Sequence, residues 1–135
     1  MKVLAIVLAL YTPLMLLIHL STGKILKDWN RHPDSWISRW FPPLRALRVE
    51  GVFWLLALAA WSLWRPLAWK IMIVAFAAIH LAIWAVEELG GKAKGLSAFN
   101  VVPKMERSIV VFDLVEAVIL MAVGLVAVTY LTHAS

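Results

Sequence analysis

Asp113 and Glu116 stand three residues apart inside the run 108–132, which is otherwise almost wholly apolar. An ionised side chain at the centre of a bilayer costs at least about 2.5–3.5 kcal/mol, so carboxylates in such a run need a partner or a task. At i,i+3 on a helix the two share a face. That face continues through Ala117, Leu120, Gly124 and Ala127, small enough for a neighbouring backbone to approach. Three other apolar runs carry isolated polar groups. His19 closes the first, stacked at seven-residue steps on Thr12 and Ala5; Glu50 opens the second, with Trp54, Ala57 and Trp61 on its stripe; His80, Trp84 and Glu87 form a stripe on the third.

These residue types suit two kinds of chemistry. Glu50, Glu87, Asp113 and Glu116 could hold a hard or borderline divalent cation, with His80 or His19 adding a nitrogen, or could pass protons. His80, with Trp84 and His19, could instead face a haem or a pigment, an imidazole being a common axial ligand. The plainer alternative is structural. The acids would pair with Arg45, Arg48, Lys104 and Arg107 at a membrane interface, and His80 would bridge two helices. Counted from the basic-loop ends of their helices at about 1.5 Å per residue, His19 and His80 fall about 9–12 Å apart in depth, too far to share one iron. The paired Glu-x-x-His motifs of di-metal carboxylate bundles are absent. So are a G-x-S-x-G elbow, a phosphate-binding loop and H-E-x-x-H, and the chain is not expected to be an enzyme.

The elements that must position these groups follow from composition. Of 135 residues 63% are hydrophobic and 16% charged, against about 45–50% apolar and about 25% charged in a soluble domain. The absence of cysteine excludes disulfides, thiolate metal sites and iron–sulfur clusters. The net charge of +5 is concentrated in two connecting segments, which points to membrane topology and not to nucleic acid.

The expected fold is an all-α integral membrane protein, a four-transmembrane-helix bundle in one membrane domain over 1–135. Spans are expected at about 3–20, 44–64, 67–89 and 108–132. The first run is longer than the about 7–15 apolar residues of a signal peptide, and no A-x-A site follows it, so it is expected to be retained. The second run has 14 apolar residues from Gly51 to Trp64, fewer than the about 20 a span needs. It must therefore draw on Leu44–Glu50, with Arg45 and Arg48 reaching outward. Between the first two spans, 24–41 reads as an interfacial amphipathic segment split at Pro33. Trp29, Trp36, Trp40 and Ile25 lie on one side, and Lys27, Arg31, Asp34 and Ser38 on the other. A second short interfacial piece is expected over Leu96–Met105.

Ten lysines and arginines lie in the two long connectors, and three (Lys2, Arg65 and Lys70) on the opposite side. This split places the long loops in the cytoplasm and both termini on the other side of the cytoplasmic membrane. On the third span, Ala68, Ala75, Ala78, Ala82 and Ala85 form a small-residue stripe roughly opposite the His80 stripe. Two opposed faces that both seek cover imply a further partner in the bilayer: another membrane subunit or a second copy, meeting the third span. The favoured expectation is a non-catalytic accessory subunit of a larger membrane complex. The alternatives are a metal-, haem- or pigment-binding or proton-carrying protein, and a compact enzyme of lipid headgroups.

Overall fold

The computed structural model describes residues 1–90 and 98–133, with side chains for all of these but 90 and 98–104. All of its regular structure is helical: α1 (Lys2–Leu20), α2 (Thr22–Arg31), α3 (Trp36–Trp40), α4 (Pro43–Ala59), a 3-10 turn (Trp61–Leu63), α5 (Leu67–Gly90) and α6 (Ala98–His133). Three stretches are long and apolar enough to cross a membrane: Lys2–Leu20, Leu67–Leu89 and Met105–His133. Large apolar side chains such as Leu10, Leu17, Ile71, Val118 and Leu125 face outward along them, the pattern of a protein whose solvent is lipid.

Two antiparallel pairs build the bundle, α1 on α6 and α4 on α5. On α1, Ala5, Leu8, Thr12, Met15 and His19 are buried, the three- and four-residue spacing of one helix face. Thr12 meets Gly124 of α6, where a Cβ would stand 2.8 Å from the Thr12 methyl; two turns on, His19 meets Glu116; beyond that, the Thr22 hydroxyl donates to the Asp113 carboxylate. The register is thus fixed by contacts along the whole seam. In the second pair, Gly51 lets the Trp84 indole lie against the α4 backbone. The Arg48 guanidinium grips Glu88 in a fork, at 3.0 and 2.6 Å, and Trp84 Nε1 donates to the same carboxylate. Arg48 therefore pairs with Glu88; Arg45 bonds the Trp40 carbonyl instead of an acid.

Three sequence expectations shift. The second apolar run does not stay helical to Trp64. α4 has 17 residues and ends at Ala59, and the Trp64 indole turns back to donate to the Ala57 carbonyl (2.7 Å). That bond satisfies one of the acceptors a helix end leaves open. Trp61, expected on the Glu50–Trp54–Ala57 stripe, consequently lies in the turn, half exposed, with the Lys70 ammonium 4.9 Å from its ring centre. The last helix begins at Ala98, ten residues earlier than expected, and absorbs the described part of the supposed interfacial piece. Between Ala98 and Ser108 there is no glycine, and one proline removes only one helix bond. The basic loop 91–97 lies outside the described residues.

The segment between α1 and α4 is helical on both sides of Pro33. Ser35 caps α3 by accepting from Ser38 N, and the Ser38 hydroxyl donates to the His32 carbonyl, so the break is built from local bonds. Ile25 and Leu26 face inward, while Trp36 and Trp40 are exposed.

Candidate metal centre

Glu116 is completely buried, and its carboxylate is the meeting point of four helices. Oε2 lies 3.3 Å from His19 Nε2 of α1, and Oε1 lies 3.2 Å from His80 Nε2 of α5. The Trp54 indole of α4 donates to Oε1 at 3.0 Å. One ligand atom from each of His19, His80 and Glu116 falls within 4.8 Å of the other two.

Each imidazole is held from behind. His19 Nδ1 donates to the Met15 carbonyl and His80 Nδ1 to the Phe76 carbonyl, both at 2.8 Å and both one helical turn back. A carbonyl can only accept, so each Nδ1 carries a proton and each Nε2 is turned toward Glu116. This is how metal-binding histidines are oriented in proteins, the outer nitrogen fixing tautomer and ring direction. Trp54 stacks on His80 (ring centres 5.6 Å apart) and on Phe76 (5.4 Å), which locks the His80 ring in its plane.

The inner atoms are not satisfied by one another. His19 Nε2 and Glu116 Oε2 are both buried without a hydrogen-bond partner, although they face each other. Buried polar atoms with no partner cost about 1–3 kcal/mol each. A divalent cation removes both deficits together. With bonds of about 2.0–2.2 Å to nitrogen and oxygen, tetrahedral ligands stand about 3.3–3.6 Å apart; the observed separations are 3.3 Å, at the short end of that spacing, and 3.2 Å, just below it. Two imidazoles and a carboxylate form a ligand set that zinc and neighbouring first-row metals accept.

The remaining sequence candidates distribute around this centre. Glu50 reaches from α4 with Oε2 4.0 Å from His80 Nε2. Asp113, one turn before Glu116, is engaged by the Thr22 hydroxyl. Glu87 is buried two turns beyond His80 and outside the triad. Trp84 covers Gly51 and bonds Glu88, away from the imidazoles. Both Nε2 atoms are turned toward the Glu116 carboxylate.

The depth count that separated His19 from His80 is corrected here. It took the two helix ends as level. In the structure α5 continues ten residues past His80, alongside the first turns of α4, whereas α1 ends one residue after His19. Counted from their other ends, the histidines lie about 26 and about 20 Å along their helices, a difference the Glu116 carboxylate spans with one oxygen toward each.

No protein-family model, no curated protein and no solved structure matches the chain.

Proposed function

We propose that this chain is a four-span protein of the cytoplasmic membrane that binds one divalent first-row cation between His19, His80 and Glu116, with Glu50 in reach as a fourth ligand or as a proton acceptor. The observation that carries this reading is the pair of buried, mutually facing ligand atoms, His19 Nε2 and Glu116 Oε2, 3.3 Å apart and without a hydrogen bond to either. A cation between them would bond both. In this reading α4, continued by its 3-10 turn, completes the four spans, since it is bundled along α5 for its length. The ten-to-three distribution of lysine and arginine sets the basic connectors in the cytoplasm and both termini outside. The centre then lies toward the cytoplasmic end of α1.

Titration of detergent-purified protein, stripped by a chelator, with Zn²⁺ against a chromophoric competitor tests this. One ion per chain with a micromolar or tighter dissociation constant is expected, and binding at least 100-fold weaker in His80→Ala. No saturable binding, together with elemental analysis that finds no metal in protein purified from native membranes, would remove the reading.

A second reading has its own observation. Ala68, Ala75, Ala78, Ala82 and Ala85 of α5 are all exposed on the outer surface of the bundle. Small residues in such a row favour close contact with another helix in lipid, supporting the role of subunit in a larger assembly or of self-associating copy. Cysteines placed at 78 and 82, in a chain otherwise free of cysteine, are expected to cross-link to a neighbour in native membranes. Ala75→Leu with Ala85→Leu should abolish that cross-linking without affecting Zn²⁺ binding; the absence of cross-linked species would leave the metal reading alone.

A further inference from the structure

Under α2 and α3 a cavity of about 220 Å³ opens beside the centre. Most of its wall is apolar, from Ile25, Leu26, Leu47, Ile79, Ile83 and Phe112. Toward α3 it is closed by Trp29 and Phe41, whose rings lie 6.5 Å apart and whose position is fixed by the bond from Trp29 Nε1 to the Phe41 carbonyl. Its polar lining is one group of neighbours: Glu50 beside His80, and Asp113 held by Thr22. Among the described residues no lysine or arginine lines it.

Size and charge narrow the occupant. The volume is below the about 300–1,000 Å³ of pockets that take drug-sized molecules, so one hydrocarbon chain fits and two do not. Where charge is buried in a low-dielectric site it must be paired. The ionisable groups lining it are the carboxylates of Glu50 and Asp113 and the imidazole of His80. An ammonium can donate to both carboxylates in charge-assisted bonds. A fatty acid or a phosphate-headed lipid would set a further anion against them, and an alcohol would bring no charge.

We propose that this cavity binds a single-chain amphiphile with a primary amine head, the alkyl tail among α2, α4 and α5 and the ammonium between Glu50 and Asp113. The proposal shares Glu50 with the metal reading and rests on it only in leaving that carboxylate to the ammonium, with His19, His80 and Glu116 holding the cation.

The test uses the full chain in zwitterionic lipid nanodiscs, loaded with Zn²⁺, and three twelve-carbon probes brominated along the chain, ending in an amine, a carboxylate or a hydroxyl. Quenching of Trp29, taken as the difference from Trp29→Phe, reports occupancy. The amine should bind at least tenfold tighter than the carboxylate and the alcohol. Ala46→Phe, which fills the cavity from α4, should abolish the difference, and Asp113→Asn should reduce the preference for the amine several-fold. Both variants should still bind Zn²⁺, which shows that they have folded. Equal binding of the three probes, tighter binding of the carboxylate, or no saturable quenching by any of them would overturn the proposal. If the amine binds and Zn²⁺ does not, the metal reading alone fails; if Zn²⁺ binds and the amine does not, this one alone fails.

Discussion

Glu116→Gln is expected to weaken Zn²⁺ binding by at least about 100-fold while leaving the metal-free protein nearly as stable as before. Loss even of an outer-sphere partner of a metal ligand costs about 10–100-fold in affinity, and Glu116 is a ligand itself, supplying the charge. Its two oxygens serve Trp54, His80 and His19 at 3.0, 3.2 and 3.3 Å. An amide of the same shape keeps an oxygen for the Trp54 indole and can turn its NH₂ toward His19 Nε2, which makes no hydrogen bond in the wild type. With an uncharged His19 the metal-free protein gains a hydrogen bond where it had none. The wild type should be stabilised by about 2.7 kcal/mol when Zn²⁺ is present at 100 times its dissociation constant, and the variant by no more than about 0.4 kcal/mol at that concentration. Thermal unfolding in detergent with and without Zn²⁺ measures both quantities. The opposite pattern, a metal-free variant weakened by about 3–5 kcal/mol, is what an uncompensated pair of buried imidazolium ions would give. It would make the cluster a permanent ion network and not a cation site.

Gly124→Ala should destabilise the bundle by about 1–3 kcal/mol, the usual cost of forcing a methyl into a filled contact. The added Cβ would meet the Thr12 methyl at 2.8 Å and its Cβ at 3.2 Å. Thr12 has little freedom to yield: it is β-branched and buried, and its hydroxyl donates to the Leu8 carbonyl at 2.8 Å. The helices must separate instead, and the His19–Glu116 contact two turns along the same seam loosens with them. Zn²⁺ affinity should fall as well, although neither residue touches the site. Thr12→Ala removes the obstructing methyl, so the double variant should recover most of both losses. A coupling of at least about 1 kcal/mol in the double-mutant cycle is the expected signature. Additive effects of the two substitutions would show that the seam is not closed at this point.

Much of this seam was legible in the sequence. Asp113 and Glu116 at i,i+3, followed by Ala117, Leu120, Gly124 and Ala127, describe the α6 face that meets α1; Ala5, Thr12 and His19 describe the answering face. Helical period alone gives such stripes. What it does not give is the axial offset between helices. The approach of His19 to His80 depends on α5 overshooting α1, which is set by where α1 bends at Ser21 and by the fork from Arg48 to Glu88. Nothing local in sequence encodes either length. The end of α4 was missed for a similar reason. Ala59, Ala60, Trp61 and Ser62 carry no helix-breaking signal, and the stop is made by Trp64 folding back onto Ala57. The cavity was illegible because its wall is assembled from five helices, each contributing apolar residues indistinguishable from ordinary core.

The three residues of the centre come from the first, fifth and sixth helices, near the two ends of the chain and its middle. A cation held by all three ties distant parts of the polypeptide together as a covalent cross-link would, but reversibly and without sulfur. Closing so long a loop lowers the entropy of the disordered chain more than closing a short one. In a protein with no cysteine, a cation bound there would be the clasp that distinguishes a completed insertion from a partial one: until the last helix has entered the membrane and delivered its carboxylate, such a clasp has nothing to fasten.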